Sequence, residues 1–227
     1  MVKFIESELV LLKKEIDEMW TLVYNQLDRA KEAVLSMNSE KAQQVIVRER
    51  RVNAFELKID SDVEDIIALY NPVAVDLRFV LAMLKINTNL ERIGDFAEGI
   101  ARFVEREQTP LDDELIKILR LQEMFDRALD MLKTAQQSMN DENLDLATSV
   151  FAKDNLLDEI NASVTSVMTE YLAKHPENTL SCLNLVGVFR KLERTGDHIT
   201  NMVEEIVFFI DAKVLKHTGK IDEKYPS

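Results

Sequence analysis

The hexapeptide Leu90-Glu91-Arg92-Ile93-Gly94-Asp95 returns as Leu192-Glu193-Arg194-Thr195-Gly196-Asp197, identical at five of six positions and 102 residues later. A chain that repeats a segment after nearly half its length is built from two copies of one unit, and each copy must bury its apolar face against a neighbour. The spacing around the repeats sets the kind of unit. Met83, Ile86, Leu90, Ile93, Ala97, Ile100 and Val104 recur at steps of three and four, and Val188, Leu192, Thr195, Ile199, Met202, Ile206 and Phe209 keep the same rhythm. That period marks one face of an α-helix.

The rhythm fills the rest of the chain. Leu9, Leu12, Ile16, Met19, Val23 and Ala30 define a first helix, broken at 36–39, where Ser39 is expected to cap the next one. Val45, Val52, Phe55, Ile59 and Ile66 define a second, which must stop before Asn71-Pro72 because proline lacks an amide hydrogen and disfavours helix in the residue before it. A third runs over about 74–107. Thr109-Pro110 then divides the chain and the pattern restarts. A fourth helix carries Leu115, Ile118, Leu119, Phe125, Leu129 and Leu132. Asn140 or Asp141 is expected to cap a fifth, which carries Val150, Leu157, Ile160, Val164 and Val167 and closes at His175-Pro176. The sixth runs over about 179–213. Five glycines and four prolines, three of the latter at these breaks, leave little material for strands and turns. The expected fold is all-α, with six long helices as two tandem three-helix bundles over 1–109 and 110–215, followed by a polar tail over 216–227. Helices three and six are expected to be counterparts, with a pseudo-twofold axis as one way to relate them.

Charge narrows the partners. Lys and Arg total 28 against 41 Asp and Glu, and the net charge of −13 repels nucleic acid and anionic lipid alike. The wholly apolar stretch 206–210 is far short of the ~20 residues that span a bilayer. The first residues lack a basic-then-apolar leader, so cytoplasm is the expected location and membrane insertion is not expected. Cys182 lies in the apolar run 180–188 and reads as a core thiol.

The chemistry lies in the repeated acids. Glu91 and Asp95 are one turn apart, as are Glu193 and Asp197, on a row about 100° around each helix from the buried seam. They are expected to flank the core and point outward. Like charges at that spacing cost ~0.2–0.5 kcal/mol, so a compensating positive charge is expected. Arg92 and Arg194 could supply it as solvated ion pairs worth at most about 1 kcal/mol. A metal cation could supply it instead, since neighbouring carboxylates offer the hard oxygens that iron, manganese, magnesium or calcium take, with Glu98 extending the first row. Gly94 and Gly196 each cost roughly 0.5–1 kcal/mol in a helix interior, which points to close approach by a backbone, a ligand or a metal cluster. His198 is matched by Phe96 in the first copy and reads as a partly buried helix residue. The Glu-x-x-His pairs of di-metal oxidases are missing, as are a phosphate-cradling glycine loop and a nucleophile elbow, so no catalytic residue is assigned and an enzyme is not expected. A signalling adaptor, a metal-dependent enzyme or metal store, and a plain bundle stay open on this ground.

The segment 71–78, with Asn71-Pro72 and Asp76-Leu77-Arg78, followed by 84–95 through Asn87, Asn89, Glu91, Arg92, Gly94 and Asp95, resembles the first signature of the PhoU family. Leu192-Glu193-Arg194-Thr195-Gly196-Asp197-His198 with Asn201 is similar to the second, and the likeness spans nearly the whole chain. The resemblance implies a cytoplasmic, frequently homodimeric negative regulator. Such a protein links the ATPase subunit of the phosphate ABC transporter to a sensor histidine kinase and represses the phosphate-starvation response when phosphate is plentiful. It also implies clusters of metal ions, iron first, with manganese, zinc, magnesium or calcium as alternatives, on motifs that map to Glu91, Asp95, Glu193 and Asp197. Asn53 and Glu56, with Asp158 and Asn161, are the candidates for completing each cluster, against ordinary polar faces. Gly99 and Val75 depart from the first signature, where Asn and Arg are usual, and leave the first cluster incomplete or differently ligated.

Overall fold

A computed structural model describes residues 2–107 and 110–212. Among them are seven α-helices and no strand: α1 (Val2–Leu35), α2 (Ser39–Tyr70), α3 (Val75–Arg106), α4 (Asp113–Ile118), α5 (Leu121–Asn140), α6 (Leu144–Leu172) and α7 (Thr179–Asp211). The first three pack on one another, α5 to α7 do the same, and α3 lies along α7. Contacts between Phe79 and Phe209, Lys85 and Glu205, and Phe96 and Arg194 show that α3 and α7 run antiparallel. The two hexapeptides therefore cross at the same level. The tail expected over 216–227 and the divide at Thr109 lie outside the described residues.

The seams are buried as their spacing predicts: Met83, Ile86, Leu90 and Ile93 on α3 and Leu192, Thr195, Ile199 and Met202 on α7 are closed to solvent. Trp20 ties the halves together, its indole Nε1 donating to the carbonyl of Leu132 at 3.0 Å. Among the described residues, no helix is long and apolar enough to cross a membrane.

Two local expectations shift. The caps are Asn38 and Asn143, not Ser39 and Asn140 or Asp141: each asparagine sits in extended backbone and its side-chain oxygen accepts from an amide three residues on, at 2.9 Å. Each follows a residue of positive φ, Met37 and Glu142, which turns the chain sharply enough to free the asparagine for capping. The expected fourth helix is broken in two, because Arg120 adopts the left-handed conformation (φ 56°, ψ 32°) between α4 and α5. That conformation costs a non-glycine residue roughly 1–2 kcal/mol. It re-aims the apolar stripe so that Leu115, Leu119 and Leu121 are all buried, while Ile118, expected inside, is left 39 % exposed. The guanidinium is held by Glu123 (2.7 and 2.9 Å) and by Glu159 of α6 (2.6 Å).

Candidate functional site

Glu91 does not point into open solvent, whereas Asp95 keeps 40 % of its side chain exposed and Asp197 is exposed. The Glu91 side chain is only 13 % exposed. It shares the α2–α3 interface with Glu49 and Glu56, whose charges, with that of Asp95, act on it. Glu49 is buried, with Asn53 Nδ2 donating to its Oε2 at 2.9 Å, and its Oε1 has no hydrogen-bond partner. The buried Oε2 of Glu91 likewise has none. Arg92 lies beside both acids of its motif, with Nε 3.5 Å from Glu91 Oε2 and Nη1 3.4 Å from Asp95 Oδ2.

The second copy is assembled in the same way from α6 and α7. Glu193 and Asp197 face Asp154 and Asp158, which act electrostatically on one another. Asp154 Oδ1 is buried without a partner. Arg194 is not placed like Arg92: its guanidinium lies 4.9 Å from the centre of the Phe96 ring, across on α3. His198 stacks obliquely on that ring, and its Nδ1 is 2.8 Å from Asn89 Oδ1.

Glycine makes the close packing possible. A Cβ at Gly94 would stand 2.9 Å from Val52 Cγ1 on α2; one at Gly196 would stand 2.6 Å from Leu157 Cδ1 on α6 and well inside 3.0 Å of Asp154 Oδ1. The missing methyl therefore admits side chains of the neighbouring helix. Val52 and Leu157 are counterparts, 105 residues apart, as are Asn38 and Asn143.

Burial and like charge act together on the acids. Burial, then the Asp95 charge, pushes Glu91 up to about 7. Burial, then Asp158, Asp197 and Glu193, pushes Asp154 up to about 7. Glu193, Glu49 and Glu56 are raised as well, burial first in each. Burial lowers His198, and nearby Arg194 adds to it. Such a set is stabilised by a proton or a cation. Among the described residues no three His, Cys, Asp or Glu side chains already stand in a metal-holding arrangement. The all-oxygen donors and the three buried oxygens without a hydrogen bond nonetheless fit a hard cation in character.

Glu91, Asp95, Glu193 and Asp197, with Glu56 and Asp158 across from them, were singled out from the sequence; Glu49 and Asp154, which act on the same acids, were not. A signal was present: Glu49, Asn53 and Glu56 and their counterparts Asp154, Asp158 and Asn161 share the spacing i, i+4, i+7. That spacing puts three polar side chains on one helical row.

The profile of the PhoU domain matches the chain twice, over residues 16–104 and 121–206. Among similar proteins, a phosphate-specific transport system accessory protein PhoU homolog 1 of Thermotoga maritima is 30 % identical over 214 residues, covering 93 % of this chain and 90 % of that protein. A PhoU homolog of Deinococcus radiodurans is 30 % identical over 207 residues, covering 91 % and 96 %. The crystal structure of PhoU from Pseudomonas aeruginosa superposes with a TM-score of 0.83 at 27 % identity, covering 92 % of this chain and 99 % of that one. The phosphate transport system regulatory protein PhoU from Streptococcus pneumoniae shares the fold, with a TM-score of 0.83 at 24 % identity over 93 % and 99 %.

Proposed function

The chain belongs to the PhoU domain family, and on that premise we propose that it is a cytoplasmic negative regulator of phosphate uptake and of the phosphate-starvation response. In this reading it works as a homodimeric adaptor between the ATPase subunit of a phosphate ABC transporter and a sensor histidine kinase, and it catalyses no reaction. The names of its relatives, accessory proteins of phosphate-specific transport, support the pathway. Residues 1–109 and 110–215 are its two repeats.

One observation carries the molecular part: two matched interfaces, α2–α3 and α6–α7, hold acids whose buried oxygens Glu49 Oε1, Glu91 Oε2 and Asp154 Oδ1 lack hydrogen-bond partners. Leaving a buried charged group unpaired costs several kcal/mol unless it is neutralised. Glu91 and Asp95 with Glu49 and Glu56 would hold one metal cluster, and Glu193 and Asp197 with Asp154 and Asp158 the other. Iron is the first choice, with manganese, zinc, magnesium or calcium as alternatives. A bound cation supplies positive charge that offsets the acids and clamps each pair of helices.

Deleting the gene in the source bacterium tests the regulatory reading. Phosphate-starvation genes should be expressed in phosphate-rich medium and silenced again by a plasmid copy. Unchanged expression across several phosphate levels would refute it.

A further inference from the structure

α1 and α2 leave an open groove of about 230 Å³ in the first half, remote in sequence from the repeated hexapeptides. Its floor is apolar and closed, formed by Leu12 and Ile66. Its walls are apolar and open: Leu11 is 47 % exposed and Leu69 is 73 % exposed. Carboxylates surround this surface, with Glu8, Asp62 and Asp65 at the margin and Glu15 at the base. Glu15 is only 9 % exposed. Its Oε1 accepts from Lys58, which also reaches Asp62 at 2.7 Å, and the Asp62 carboxylate acts on Glu15 in turn.

The second half closes the matching position with its own chain. The two PhoU domain matches begin 105 residues apart, so Glu15 corresponds to Arg120 and Ile66 to Tyr171. Arg120 is occupied by Glu123 and Glu159. The Tyr171 hydroxyl donates to Asp112 Oδ2 at 2.6 Å, immediately before α4, which packs on α5 and α6. The left-handed turn at Arg120 lets α4 cover this end. In the first half α1 runs unbroken and leaves the groove open.

We propose that the α1–α2 groove docks a basic amphipathic helix of another protein. Apolar side chains at three- and four-residue spacing would cover Leu11 and Leu69, and Lys or Arg side chains among them would pair with the accessible carboxylates of Glu8 and Asp65. Four carboxylates against one lysine select a cationic partner and repel lipid phosphate and nucleic acid. The proposal stands on this groove alone, because Glu91, Asp95, Glu193 and Asp197 take no part in it.

The test uses the full chain and a labelled leucine–lysine peptide of about 18 residues, five turns of helix, against the same composition in scrambled order. Anisotropy is read with EDTA at about 0.15 M salt, where diffuse attraction is screened beyond about 8 Å. The groove variant is E8Q/D65N/L69S, all at accessible positions. The control D145N/E170Q/L180S removes the same groups from exposed positions elsewhere. The patterned peptide should bind at least about tenfold tighter than the scrambled one, and the groove variant alone should lose at least about tenfold. Equal weakening in both variants, or equal binding of both peptides, overturns the proposal. So does displacement of the peptide by calcium at constant ionic strength, which marks a cation site. Tighter binding by a chain ending at residue 212, with residues 213–227 competing as a free peptide, makes that segment the occupant and also overturns it.

Discussion

Alanine at each of four helical glycines separates helix propensity from interhelical packing. Relative to glycine, alanine favours a helix interior by about 0.8–1.0 kcal/mol. At Gly187 the added methyl first meets Lys191 Nζ, 3.9 Å away, so the whole gain should be realised. At Gly99 it meets Lys191 Cε at 2.5 Å, the middle of a flexible side chain that can swing aside, and most of the gain should survive. At Gly94 it stands 2.9 Å from a methyl of Val52, which is buried and stiff, so gain and strain should nearly cancel. At Gly196 it collides with Asp154 Oδ1 and with Leu157 Cδ1 at 2.6 Å, and Leu157 has no room to move. Overpacking of this kind costs about 1–3 kcal/mol, and with two atoms inside 3.0 Å the upper part of that range applies, leaving a net loss of up to about 2 kcal/mol. Each kcal/mol shifts Tm by about 2–4 °C in a chain of this size. Thermal unfolding followed by circular dichroism, with chelator and at about pH 5, isolates the steric effect, since Asp154, raised to about 7, is then largely neutral. Gly187→Ala should melt higher than the parent, Gly99→Ala slightly higher, Gly94→Ala close to it, and Gly196→Ala several degrees lower. If Gly196→Ala stabilised as much as Gly187→Ala, the close approach of α6 to α7 would be wrong.

Three further predictions follow from the same geometry. Glu91 and Asp154 have pKa values raised to about 7 from 4.5 and 3.8, so the folded state holds their protons more tightly than the unfolded state. Their contribution is greatest below those ordinary values and is lost as pH rises through about 7; chelated protein should lose Tm between about pH 5 and 8, and Glu91→Gln with Asp154→Asn should flatten that slope. Replacing Glu91, Asp95, Glu193 and Asp197 together by their amides should abolish metal uptake, measured by elemental analysis, and remove the Tm increase that added metal gives the parent; a variant as metal-rich as the parent, and as stable with metal, would end the metal proposal. Arg120→Ala should unfold at lower urea than Arg120→Gly by about 1 kcal/mol, because both lose the bonds to Glu123 and Glu159 but only glycine adopts the left-handed turn without strain; equal stabilities would mean the turn is not strained.

The three-plus-three plan was legible because it rests on local rules. A stripe at three- and four-residue steps identifies a buried helical face whatever covers it, and Pro72 and Pro176 stop helices by covalent geometry. The paired acids were legible for the same reason, since Glu91 and Asp95 share a row wherever the helix is placed. The cap shifted by one residue, from Ser39 to Asn38, because both types cap well and only the backbone turn at Met37 selects between them.

Sequence periodicity is enough to show the helical plan, most of the buried seams and the doubling of the acidic motif. Tertiary structure alone decided what lies opposite each face: Glu49 across from Glu91, Asp154 against Gly196, Arg194 over Phe96 instead of beside Asp197, and a break at Arg120 where periodicity continued a helix. Periodicity reports that a surface must be covered, but the partner is chosen by packing between segments tens of residues apart. The chemistry of these acids, from buried carboxylates to raised pKa values, arises only once that choice is made.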